Sequence, residues 1–206
     1  MLKRAFDVAL SFVALVFLIP LFLVIGALIK LNSPGPVFYR GTRIGLHGEP
    51  FRIFKFRTMV FDADMKGPSS TAADDNRITP IGRFVRRFNI DELPQFINVL
   101  TGKMSIVGPR PQVPWAVRLY TEEERTILSV RPGITDWATI WVRDEGERLR
   151  GSSDPDRDYL DKVWPEKRRL QLEYVRDHSL LTDIRNMLKT LDVHLVSRVF
   201  RGGEAR

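Results

Sequence analysis

At 206 residues without a single cysteine, this chain has room for one domain with a sizeable core plus a small appendage. It excludes disulfide frameworks, thiolate catalysis and cysteine-ligated zinc, and its three histidines, His47, His178 and His194, are too scattered for a histidine-rich metal cluster. The formal net charge of +7 at pH 7 calls for polyanionic company, which nucleic acid, anionic lipid or phosphorylated small molecules would each supply.

Residues 8–29 are apolar except for Ser11, Pro20 and Gly26, the length of a segment that crosses a bilayer core. The run lacks the short apolar region and small-residue cleavage site of a secretory signal, so it is expected to be retained. Lys3 and Arg4 precede it, and Lys30, Arg40 and Arg43 follow it. The positive-inside rule then places both flanks in the cytoplasm, with Lys3 and Arg4 near anionic headgroups. Both flanks on one side require a turn within the membrane. Pro20 is where a helix would kink, because it removes a hydrogen bond and clashes with the preceding turn. The expectation is a re-entrant helical hairpin over residues 1–32, with a straight span as the alternative, followed by a cytoplasmic domain over 33–206.

Ser33-Pro34-Gly35-Pro36 is a loop by its proline and glycine density. Residues 37–40 and 51–57 read as extended, the second alternating apolar and basic residues at period two, around a turn at residues 45–48. They predict a short antiparallel hairpin with one cationic face, on which Lys55 and Arg57 lie two apart. Residues 62–76 are polar and predict a surface loop. Residues 81–88 set Arg83, Arg86 and Arg87 among Ile81, Phe84, Val85 and Phe88 at helical spacing, as in helices that lie on membranes or pack on a domain.

The segment Asn89-Ile90-Asp91-Glu92-Leu93-Pro94-Gln95 puts two adjacent carboxylates before a proline. Proline is comfortable only in a first helical turn, so the helix through Phe96, Ile97, Val99 and Leu100 should begin between Asp91 and Leu93, with both acids at its N-terminal mouth. That mouth favours carboxylates, phosphates and metal-bridged anions alike. Beyond it, Gly108-Pro109-Arg110-Pro111 and Arg131-Pro132-Gly133 predict rigid turns that would hold a guanidinium at a fixed angle. Helices are predicted over residues 120–128, 165–176 and 181–191, and a frayed tail over 198–206.

Taken in order, these segments resemble the small monotopic phosphoglycosyl transferases, the bacterial sugar transferases that begin polysaccharide and glycoconjugate assembly. The resemblance rests on Pro20, Ser33-Pro34-Gly35-Pro36, Lys55-Phe56-Arg57-Thr58-Met59, Asp91-Glu92-Leu93-Pro94-Gln95, the two proline turns, and the late Asp183-Ile184. It implies a helix-rich α/β (α+β) fold in one compact domain with short antiparallel strands, set on the cytoplasmic face of the bacterial inner membrane. It also implies transfer of a phosphosugar from a UDP-sugar to a polyprenol phosphate, with release of UMP and a need for magnesium. By resemblance, Asp91 is the nucleophile, Glu92 is its partner, and both are magnesium ligands. Lys55, Arg57, Arg86, Arg110, Arg131 and Asp183 are the substrate-binding candidates. Two departures stand out: Ile19 before the membrane proline, and the stretch from Asp136 to Glu147, which fits either a different donor sugar or a neutral lineage change.

A non-catalytic membrane adaptor of a glycan assembly complex would also explain the anchor and the charge, but it gains nothing from two acids amid arginines. No standard nucleic-acid recognition motif occurs, so nucleic acid is not an expected partner. Monomer and homodimer are both compatible with the sequence.

Overall fold

Leu2–Asn32 form one helix, α1, which runs on through Pro20. The computed structural model describes residues 2–142 and 145–193, so the tail expected to fray lies outside the described residues. Four short strands follow: β1 (Phe38–Tyr39), β2 (Thr42–Ile44), β3 (Pro50–Arg52) and β4 (Lys55–Phe56). After them come α2 (Pro80–Arg87), α3 (Gln95–Leu100), β5 (Ser105–Val107), α4 (Pro114–Val117) and β6 (Gly133–Thr135). The chain then stays helical through α5 (Trp137–Val142), α6 (Glu145–Arg148), α7 (Pro155–Lys162), α8 (Trp164–Asp177) and α9 (Leu180–Leu191). The result is the helix-rich single domain with few short strands that the sequence implies.

Both ends of α1 are built into this domain. Asp7 accepts from the Ser105 hydroxyl at 2.6 Å, while Ile25 and Ile29 pack with Phe56 and Val85. Residues 12–24 between them include no buried side chain. The helix is long and apolar enough to cross a membrane. Lys3 and Arg4, expected to face headgroups, turn inward instead, because β5, α3 and α9 offer them buried partners. Lys3 pairs with Asp183 and Arg4 donates to the Met104 carbonyl.

The predicted hairpin forms as two short ladders, β2 on β3 and β1 on β4. Asn98 of α3 fills the break between them. Its side-chain oxygen accepts from the Phe54 amide at 2.8 Å and its amide donates to the Arg52 carbonyl at 2.9 Å. One buried asparagine thus satisfies two backbone groups that no strand neighbour reaches, and it docks the hairpin on α3. The single cationic face does not form. Lys55 points to the acids, Arg57 turns back to the loop after α1, and Arg40 lies over the Phe54 ring.

β5 and β6 pair in parallel, Ser105 opposite Gly133 and Val107 opposite Thr135, where only antiparallel strands were expected. Parallel pairing needs a long crossover, and the chain through α4 supplies it. At the end of this ladder the two predicted turns zip together. The Gly108 amide donates to the Thr135 carbonyl and the Gly133 amide to the Pro109 carbonyl, each at 3.0 Å. A Cβ on Gly133 would lie 2.1 Å from the Gly108 nitrogen, so only glycine permits the approach.

The buried stripe of α8 is polar: Lys167, Arg168 and Gln171, then Tyr174. Each finds a partner, namely Glu145, the Tyr120 hydroxyl, Asp136 and Asp183. Apolar cores lie on either side, around Met104 and Val107 and around Leu149 and Val163.

Asn98→Ala leaves the Phe54 amide and the Arg52 carbonyl buried without partners, so stability should fall by about 2–4 kcal/mol. Thermal unfolding of detergent-solubilised protein checks this, and an unshifted transition would contradict the docking role.

Candidate active site

Asn89 takes a left-handed φ of 54°, which asparagine tolerates, and starts a single 3-10 turn over Ile90–Glu92. Leu93 and Pro94 continue in helical conformation, and α3 begins only at Gln95. The acids therefore precede the α-helix proper. Six residues of helix carry little macrodipole, so side-chain cations rather than the helix mouth set the field on the acids.

Those cations come from two other segments. Lys55 Nζ lies 2.7 Å from Glu92 Oε1, and Arg110 forks both oxygens of Glu92, with Nη1 2.9 Å from Oε2. The bidentate geometry is that of strong guanidinium–carboxylate pairs. Burial alone would raise the Glu92 carboxyl, but Arg110 and then Lys55 outweigh it and hold it well below the usual range. Asp91 is 8% exposed and accepts no hydrogen bond among the described residues. Burial pushes its carboxyl above the ordinary value; Lys55 pulls it back and Glu92 adds to the rise. One acid is thus fully committed, and its neighbour is free.

Arg86 stands beside this pair. Its Nε donates to Thr58 Oγ1 at 2.8 Å, and its charge acts on Asp91. The other three candidates bond to protein groups away from the dyad, although Arg57 also lines the cleft that holds it. Arg57 clamps the loop after α1, donating to the Ser33 and Pro34 carbonyls; Gly35, at φ 113°, leaves the space its guanidinium fills. Arg131 donates to the Gly102 carbonyl at 3.0 Å on the face near Arg4. Asp183 is buried between Lys3 and the Tyr174 hydroxyl and ties α9 to α1.

Residues without a local motif complete the setting. Asp136 is fully buried, accepts from the Arg110 amide at 3.1 Å and the Thr139 amide at 2.6 Å, and also takes a bond from Gln171. The acid that departs from the family pattern is therefore a strut for Arg110 and a cap for α5. Gln112 donates to the Arg110 carbonyl and accepts from the Tyr159 hydroxyl. Tyr159 in turn accepts from Lys167, which pairs with Glu145 at 2.7 Å. An open cleft of about 3050 Å³ runs past the dyad, Arg110, Gln112 and Glu145, from Phe6, Leu10 and Ala14 on α1 to Tyr159 and Lys167. Its apolar end lies on the membrane-length helix and its polar end on α7 and α8.

A family model for bacterial sugar transferases matches residues 1–197, and the chain belongs to that family. It is 41% identical over 199 residues to the UDP-glucose:undecaprenyl-phosphate glucose-1-phosphate transferase of Escherichia coli, covering 93% of this chain and 39% of that protein. It is 37% identical to the sugar transferase EpsL of Bacillus subtilis over 95% of this chain and 88% of that protein. An N-acetylgalactosaminephosphotransferase of Aeromonas hydrophila, named for UDP-N-acetylgalactosamine and undecaprenyl phosphate, is 40% identical over 68% of this chain and 34% of that protein. The chain thus spans well under half of the first and third of these relatives.

If Asp183 is a tether rather than a substrate ligand, Asp183→Asn should lower the unfolding temperature by several degrees, because it weakens a buried pair with Lys3. The donor KM should stay within about twofold, since no substrate contact is lost. A raised KM with unchanged unfolding would return Asp183 to the substrate site.

Proposed function

We propose that this chain transfers a phosphosugar from a UDP-sugar to undecaprenyl phosphate, releasing UMP and leaving a polyprenyl-diphosphate sugar. The names of its relatives supply the substrate classes. The observation that carries the reading is the asymmetry of the dyad: Asp91 has free lone pairs beside a carboxylate locked by two cations.

In the first step an Asp91 oxygen attacks the phosphorus that bears the sugar. The bond from that phosphorus to the bridging oxygen breaks, and UMP leaves with the electron pair. An oxygen of the polyprenol phosphate then attacks the same phosphorus, and the aspartyl oxygen leaves as carboxylate. No proton need move to or from Asp91, so the chemistry asks for positioning and charge. Lys55, Arg86 and Arg110 supply the charge around Asp91. Glu92 orients Lys55 and Arg110, and neither is bonded to Asp91.

Asp91 would help hold a magnesium ion, which would supply positive charge to offset that of the diphosphate. A magnesium ion held this way would need only one or two carboxylates, with waters and the substrate's own phosphates completing its shell. Asp91 fits as a ligand. Glu92 would have to give up Arg110 or Lys55 to bind as well.

The cleft explains how a soluble donor and a lipid acceptor meet. The donor would enter at the polar end and the polyprenol phosphate along α1. In this reading α1 is a re-entrant anchor in the cytoplasmic membrane: both its ends are held on one domain and its middle is bare. Phe84 of α2, Phe88 just after it, and Leu181, Ile184, Leu188 and Leu191 of α9 are exposed apolar side chains suited to bed the domain on the lipid surface.

The test is UMP release from a panel of UDP-sugars by protein in lipid nanodiscs with undecaprenyl phosphate. Release should need the acceptor for repeated turnover, stop with a chelator, and fall by at least about a thousandfold in Asp91→Asn. Because Asp91 is raised, kcat/KM should climb with pH as it ionises, with a midpoint above the ordinary aspartate range, while Glu92 stays ionised throughout. No release from any donor, or near-normal release by Asp91→Asn, would reject the reading.

A further inference from the structure

We infer that Glu145, held in place by Lys167, selects the donor: its second carboxylate oxygen accepts a hydrogen bond from a hydroxyl of the pyranose. This rests on the phosphosugar-transfer reading above and assigns the specificity contact within it.

Lys167 is 2% exposed on the inner face of α8, a burial that a lysine tolerates only with partners. It donates to Glu145 Oε2 at 2.7 Å and to the Tyr159 hydroxyl at 3.0 Å. Tyr159 is itself bonded to Gln112, which holds the Arg110 carbonyl. A continuous polar chain thus links Glu145 to the cation that grips the dyad. It fixes the Glu145 carboxylate with one oxygen committed and leaves Oε1 without a hydrogen bond among the described residues. The Glu145 side chain remains 35% exposed and lines the cleft.

A rigid carboxylate with one free oxygen suits a hydroxyl donor. The sugar is the part of the donor bonded directly to the phosphorus that Asp91 attacks. Arg110 feels Glu92 and Glu145 together, and Glu145 and Asp91 line the same cleft. The chemical step needs no further acid at Glu145. Its use is discrimination, since a site built to pair a hydroxyl penalises a donor that lacks it or presents it differently.

Removing Glu145 alone would strand the buried Lys167 charge, so the test uses two variants in full-length protein in nanodiscs. Glu145→Gln keeps shape and a bond to Lys167; the double variant Glu145→Ala, Lys167→Met removes the pair together. UDP-glucose, UDP-galactose and their two N-acetylated counterparts are the donors, with UMP as competitive inhibitor. The double variant should lose about tenfold or more in kcat/KM for the best donor, carried by KM, because one charged hydrogen bond goes. The ratio of best to worst donor should shrink by a similar factor in the double variant and shift in Glu145→Gln, and inhibition by UMP should hold within about twofold. An unchanged donor ratio in both variants overturns the inference. So does an equal loss of UMP affinity, which places the carboxylate on the ribose. Wild-type protein that turns over no donor would fail the transfer reading itself, and this inference with it.

Discussion

Glu92 is the junction on which the site depends. It is one residue, yet it gathers Lys55 from the hairpin and Arg110 from a distant turn, and both cations are partly buried. Charges taken from water must be paired, and the pairing holds three chain segments in register. Two consequences follow for Asp91. It gains a cationic surround without a direct bond, and burial beside another carboxylate raises its proton affinity. Adjacent residues with the same functional group thereby acquire opposite states, one locked and ionised, the other open.

The scaffold serves that junction. Asn98 docks the hairpin so that Lys55 arrives from one side. The close approach of Gly108 and Gly133, together with Asp136, fixes the backbone of Arg110 on the other. The α1 helix is fastened at both ends, by Asp7 and Lys3 near its start and by Ile25 and Ile29 near its end. The candidate site is thus attached to the apolar helix through polar and apolar contacts alike.

Much of this was legible in the sequence where the signal is local. The apolar run, the hairpin, the proline turns and the long C-terminal helices follow from periodicity and turn chemistry, and the ordered motifs identify the family. The signal fails where a residue's partner is remote. Lys55 and Arg57 alternate on paper, yet Arg57 finds two free carbonyls at Ser33 and Pro34 and turns to them. Arg131 and Asp183 carry charge in motif-like settings, but their partners are Gly102, Lys3 and Tyr174. The parallel pairing of β5 with β6 leaves no mark in three-residue strands. On α8 the buried face is polar, so hydrophobic periodicity finds the helix and misses what the face does. Lys167 and Glu145 are twenty-two positions apart with no shared motif, and only the fold joins them.

The central claim is that Asp91, left free by the locking of Glu92, carries the phosphosugar between donor and lipid. Intact-protein mass spectrometry after brief exposure to a UDP-sugar without acceptor tests it most directly. The account predicts an adduct with the mass of one phosphosugar, mapped to the peptide containing Asp91, absent from Asp91→Asn and discharged on adding undecaprenyl phosphate. Full turnover with no such adduct at any quench time, or an adduct on another residue, would contradict it.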